Sequence, residues 1–165
     1  MKKVLFLSLV LAVSFLFVGC TGGIFASDED LAKNAVLGFY NDLSGDEVSA
    51  SKIVEDYFYM EGLTATETDQ IAALMTFARS MMEDQKVSFE VNNVTVKEAP
   101  TSAPGKVEKL ADVEALKKYE DENMEDDLET MTIAKIEGAW YLYYIYKENS
   151  EMHSYPEDLV SSGTN

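Results

Sequence analysis

Ile133-Ala134-Lys135-Ile136-Glu137-Gly138-Ala139-Trp140-Tyr141-Leu142-Tyr143-Tyr144-Ile145-Tyr146 is the stretch on which the fold turns. Glu137-Gly138 separates a β-rich run, Leu128 to Ile136, from an aromatic run, Ala139 to Tyr146. Two such runs joined by a two-residue, glycine-containing link predict a tight hairpin, because the favoured turn needs left-handed backbone that glycine adopts without penalty. Period-two counting puts Trp140, Leu142, Tyr144 and Tyr146 on one face and Tyr141, Tyr143 and Ile145 on the other. Aromatics on both faces fit a second buried surface, a dimer interface or a ligand wall. A core face backed by half-exposed tyrosines explains them more simply.

Working back along the chain, Leu110 to Tyr119 has good helix formers, yet Val113, Ala115 and Tyr119 also alternate. A strand is the more economical reading, since a meander then runs into the hairpin. Ala99-Pro100-Thr101-Ser102-Ala103-Pro104-Gly105 is a loop. Val87, Phe89 and Val91 form an alternating strand, but Val94 and Val96 have the opposite parity. Asn92-Asn93 stands at the flip, so an extra residue there, a β-bulge, restores one buried face.

Before Lys86 the period is helical. Ser27 and Asp28 can cap a first helix carrying Ala32, Val36, Phe39, Tyr40 and Leu43, stopped at Gly45. A second carries Ala50, Ile53, Val54, Tyr57 and Phe58 and breaks at Gly62. Thr64 with Glu67 is a capping box for a third, with Ile71, Leu74, Met75, Ala78, Met81 and Met82 on one face. The expected class is α+β: three N-terminal helices packed on a curved, mostly antiparallel sheet of about four strands. The domain spans 28–147, and 148–165 is expected to be a polar, partly disordered tail.

The N-terminus has its own logic. Lys2 and Lys3 precede an apolar run, Val4 to Val18, broken only by Ser8 and Ser14. That is the layout of a secretory signal peptide, residues 1–19, and it is short for a spanning helix. Leu16-Phe17-Val18-Gly19-Cys20 resembles the bacterial lipobox, in which a small residue precedes a lipidated cysteine, although Phe17 stands where leucine is usual. Cys20 is the only cysteine, so no intramolecular disulfide can form, and thioether lipidation is the simplest use for an exported lone thiol. The resemblance implies a diacylglyceryl group on Cys20, often with a third acyl chain such as palmitate. Residues 20–27 would then tether the domain to the outer face of a membrane. Thr21, which is not Asp, favours the outer membrane where there are two.

Removing Lys2 and Lys3 leaves 11 basic against 30 acidic residues, a formal charge of −19. Such a surface repels phosphate backbones and anionic headgroups, which argues against nucleic acid as a partner and against peripheral membrane binding through a basic face.

The Gly-x-Trp hairpin at its end, with Phe39-Tyr40, Gly45-Asp46 and Asp56-Tyr57 near its start, makes the chain resemble the nuclear transport factor 2-like superfamily of cone-shaped α+β domains. Within it the chain looks like small bacterial lipoproteins of the domain of unknown function 4878 type. The resemblance covers about residues 29–147. It implies helices closed over a concave sheet, with a pocket at the open end.

Two functions of different class follow. One is a non-enzymatic module for a small apolar ligand or an envelope protein, with Trp140 and Tyr144 as its wall, backed by Tyr57 and Phe58. The other is a small-molecule isomerase or cyclase, in which Asp56 with Tyr57, or Tyr144, moves a proton. No catalytic motif supports the second, and no cofactor is expected. Asp121, Asn123, Glu125 and Asp127 alternate like calcium ligands, but Asp126 replaces the required glycine and Thr132 the bidentate glutamate. His153 is the only histidine, so neither a zinc site nor a histidine-based triad is expected.

Overall fold

The computed structural model describes residues 26–121 and 123–156. The signal segment, Cys20 and the chain after Pro156 lie outside the described residues. Helix α1, Asp28–Ser44, starts on a capping box: Ser27 accepts from the Asp30 amide and the Asp30 carboxylate accepts from Ser27. Asp28, Glu29 and Asp30 face the positive helix end. The stripe Ala32, Val36, Phe39, Tyr40 and Leu43 is buried, as its spacing predicts. Helix α2, Ala50–Tyr57, is capped by Ser49.

Strand β1, Phe58–Glu61, follows at once, so Phe58 is not on the second helix and the three helices are not consecutive. Tertiary pairing overrides the helical stripe here, since β1 is held against a later strand. Gly62, with φ +72°, then turns the chain. Helix α3, Ala65–Gln85, opens on the Thr64–Glu67 capping box.

Strands β2 (Val87–Glu98), β3 (Val107–Tyr119), β4 (Asp127–Ile136) and β5 (Ala139–Tyr141) form a curled antiparallel sheet in that order. The ambiguous segment is therefore strand. The bulge is where the parity flip places it: Val91 pairs with Ala115 and Asn93 with Glu114, leaving Asn92 as the extra residue. Glu137 (φ 52°) and Gly138 (φ 82°) make the left-handed turn between β4 and β5.

A second sheet is what the sequence reading lacks. β6 (Tyr143–Glu148) pairs in parallel with β1, Phe58 opposite Tyr143, and antiparallel with β7 (Glu151–Tyr155). β7 lies in the stretch read as tail. Its turn is Asn149-Ser150, both left-handed at φ 52° and 70°.

Leu142 joins the sheets. Its N–H donates to the Tyr57 carbonyl at 2.9 Å rather than to a neighbouring strand. This break reverses the parity of the aromatic run. Trp140, Leu142 and Ile145 belong to the main core with α1, α2 and β3, and Tyr143 packs against it. Tyr144 sits in a second cluster with Val107, Leu110, Ala134 and Ile136, rimmed by Tyr59, Tyr141, Tyr146 and Tyr155. The strand thus has two buried faces, shared between two cores.

Polar clamps fix the helices. Lys109 and Lys135 donate to the Asp28 carboxylate at 2.8 and 2.7 Å, tying α1 to β3 and β4. Arg79 of α3 donates to the carbonyls of Asp42 and Val48 at 2.9 and 2.5 Å. Hydrogen bonds from Lys109 and Lys135 hold the Asp28 carboxyl below its ordinary range. Lys147, then Thr64, pulls Glu67 down to about 2.

A carboxyl whose pKa is lower in the folded state stabilises the fold above its unfolded value and loses that contribution as pH falls through the folded one. For Glu67 the window runs from about 4.5 down to about 2. The urea midpoint should therefore drop across that range, less steeply in Glu67→Gln. Equal slopes in the two proteins would remove Glu67 from the account.

Candidate binding groove

Two concavities flank the β1–β6–β7 sheet. The larger, about 470 Å³, is polar and lined by Glu61, Gly62, Ser102, Pro104, Tyr146, Lys147 and Glu148. Its central charges are already paired. Glu61 accepts from the Tyr144 hydroxyl and from Lys106 (2.8 Å), and Lys147 pairs with Glu67 at 2.8 Å.

The second is apolar, about 160 Å³, between α3 and the sheet. Phe58, Ile71 and Ile145 form its buried floor, Met75 flanks it, and Leu74 and Met152 form its lips at 60% and 53% exposure. His153 and Ser154 of edge strand β7 complete it. The Glu67–Lys147 pair fixes the start of α3 over β6. The Ser154 hydroxyl oxygen, at a residue lining the groove, is buried without a hydrogen-bond partner. A volume of this size takes one large aliphatic or aromatic group.

From the groove's lip onward α3 stays apolar. Leu74, Phe77 and Met81 are 60%, 65% and 50% exposed. The sequence reading placed Leu74 and Met81 on the core face. The other four of that stripe, Ile71, Met75, Ala78 and Met82, do pack on the core, joined by buried Ala72. The apolar arc of α3 is wider than one core-facing stripe, and α1 and α2 cover only part of it.

Of the four residues expected to form the ligand wall, Trp140, Tyr57 and Phe58 meet in the main core, while Tyr144 belongs to the second cluster. Trp140 is 6% exposed in the main core, and its Nε1 is buried without a partner. Tyr144, at 4%, faces the second cluster because of the break at Leu142. Tyr57 is half-buried, its hydroxyl donating to Asp42 at 2.6 Å and its ring edge-on to Phe39. Only Phe58 lines the apolar groove. Sequence reasoning missed Met152, His153 and Ser154. The available signal was Asn149-Ser150, a two-residue turn set between strand-length runs.

The proton-transfer candidates are also dispersed. Asp56 is ion-paired with Lys52 on the surface, Tyr57 bonds Asp42, and Tyr144 bonds Glu61. Burial, then a carboxylate neighbour, pushes both phenols well above their ordinary pKa, which makes either a poorer proton donor than a free tyrosine. In the 121–127 loop Asp121 accepts from the Asn123 backbone and side chain at 2.9 and 2.7 Å, closing a turn. Among the described residues no group of three or more His, Cys, Asp or Glu gathers as a metal site. None of the described helices is long and apolar enough to cross a membrane.

No family model matches this chain, and neither curated proteins nor solved structures give a match.

Proposed function

We propose that this chain is a lipid-anchored, non-enzymatic binding module of the bacterial cell envelope. It holds a small apolar ligand, or an apolar side chain of an envelope protein, in the groove between α3 and β7. The observation that carries this reading is the groove itself: apolar floor, apolar lips, one unpartnered hydroxyl. Ligand sites are mostly apolar with a few polar groups that fix orientation.

Membership of the nuclear transport factor 2-like superfamily remains part of the proposal. The curled four-stranded sheet with its bulge and the helices over it support that reading. Anchoring through Cys20 places the module on the outer face of a membrane, the outer one where there are two.

Nile red is a suitable apolar probe. Its emission should rise and saturate on titration with the protein. Met152→Glu, which puts a charge on the groove lip, should weaken binding at least about tenfold, equivalent to about 1.4 kcal/mol. Leu128→Glu, at an exposed apolar residue of β4, should leave it unchanged. Equal binding by all three proteins would remove the groove as the site.

A further inference from the structure

Strand β7 is an edge of its sheet: among the described residues it pairs only with β6. The hairpin fixes what that edge offers. Its turn, Asn149-Ser150, has two residues, both left-handed, so Glu148 and Glu151 exchange ladder hydrogen bonds, and Tyr146 and His153 do so two residues further on. The intervening residues, Met152 and Ser154, therefore turn their main-chain N–H and C=O groups outward, away from β6. Their side chains share a face with Lys147 and Ile145, their partners across the ladder. That is the face α3 covers, through the Glu67–Lys147 pair and the apolar groove. The groove thus opens beside the same two residues whose main chain faces outward.

We propose that the groove and the β7 edge form one site, which takes an extended segment of another envelope protein as an added antiparallel strand, its sequence running apolar, any, apolar, basic. This rests on the groove reading above and names the groove's occupant.

Size argues for a side chain held by its own backbone. Sites that hold a drug-sized ligand unaided enclose about 300–1,000 Å³, and this groove encloses about 160 Å³. An apolar molecule alone is held there weakly, so a tight occupant needs a second hold, and the edge supplies it. In strand addition the main-chain bonds give affinity, and pockets for alternate side chains give specificity. Residues directly opposite across a ladder point to the same face. A partner residue opposite Ser154 therefore faces α3, and Ser154 is small enough to let it reach across toward Ile145 on the groove floor. A partner residue opposite Met152 covers that lip, which is 53% exposed.

Charge selects the fourth position. Glu148 and Glu151 stand opposite each other at the end of the hairpin, both exposed and neither ion-paired with a described residue. Like charges facing across a ladder destabilise it. A lysine or arginine opposite Glu151 relieves both, and in an antiparallel strand it follows the residue opposite Met152. Parallel addition is slightly less stable per residue. A second copy of this chain is a poor occupant, since β7 itself carries no lysine or arginine and two strongly acidic molecules repel.

Fluorescence anisotropy tests this with the peptide Thr-Leu-Thr-Val-Lys-Thr, labelled at its N-terminus and amidated at its C-terminus. The protein is the chain beginning at position 20 and carrying Cys20→Ser. The peptide should bind, and more weakly as salt rises, because screening weakens the attraction between its lysine and Glu151. N-methylation at leucine removes the N–H that bonds the Ser154 carbonyl while keeping every side chain. It should raise the dissociation constant at least about tenfold. Glu151→Lys should weaken the parent peptide and favour one with glutamate in place of lysine. Equal binding of the methylated peptide, or no binding of the parent, overturns strand addition. An unchanged preference in Glu151→Lys overturns the basic position. Nile red needs only the groove and so separates the two readings. If Met152→Glu weakens dye binding while methylation changes nothing, the groove stands and the added strand falls. If Met152→Glu spares the dye, the groove falls and takes this proposal with it.

Discussion

Val113→Asp and Ile133→Asp are each expected to destabilise the domain by about 3–5 kcal/mol at neutral pH, the range for an uncompensated buried charge. Both side chains are fully buried in the main core, Val113 paired across the ladder with Met131 and Ile133 with Ala111. None of the described buried residues is charged, so a new carboxylate meets no counter-charge there. It can escape by staying protonated, and each unit of pKa rise this requires costs about 1.4 kcal/mol. The loss should therefore shrink as pH is lowered toward the ordinary range of aspartate. Domains are stable by only about 5–15 kcal/mol, so either change threatens the folded state at body temperature. Urea unfolding measures the effect. Leu128→Asp, at a residue 55% exposed on the same strand as Ile133, is the control and should stay within about 0.5 kcal/mol. A similarly small change at Val113 or Ile133 would contradict the packing described.

The second large effect is on location. Cys20→Ser should move the protein from the detergent phase to the aqueous phase and remove the lipid mass from the mature N-terminus. The reason is additive chain burial: each methylene buried in a bilayer contributes about 0.8 kcal/mol, and one acyl chain alone anchors only marginally. On the proposed lipidation the diacylglyceryl group on Cys20 would be the main attachment, because a formal charge of −19 after removal of residues 1–19 disfavours contact with an anionic membrane. Mass spectrometry of the N-terminal peptide decides the matter, and an unmodified Cys20 in purified envelope protein sinks the idea.

Much of the architecture was legible because its determinants are local. Ser27 with Asp30 and Thr64 with Glu67 announce helix starts, and Glu137-Gly138 a turn, within a few residues. The bulge on β2 could be read because two asparagines mark the place where parity changes. Leu142 carries no such mark. An unbroken row of large residues hides the switch between sheets, and every facing beyond it was counted wrongly.

The same cause explains the ligand wall. Trp140 and Tyr144 share a face only if the strand runs straight, and it does not. β1 was hidden because Phe58 continues the stripe of α2, so only its distant partner Tyr143 reveals it as strand. The exposure of Leu74, Phe77 and Met81 depends on how much of α3 the other helices cover, which a spacing rule cannot report.

The parallel pairing of β1 with β6 bears on when this chain can fold. Phe58 waits for Tyr143, Asp28 for Lys135 at a sequence separation of 107, and Tyr40 for Glu129 at 89. Contacts this distant are reached late, since the entropy of closing long loops is lost before the contacts compensate. A chain emerging from the ribosome therefore holds its first helices without their sheet until nearly all of it has been made. On the proposed export route this slowness would be protective: the topology would keep the nascent polypeptide threadable, with folding completed on the far side of the membrane.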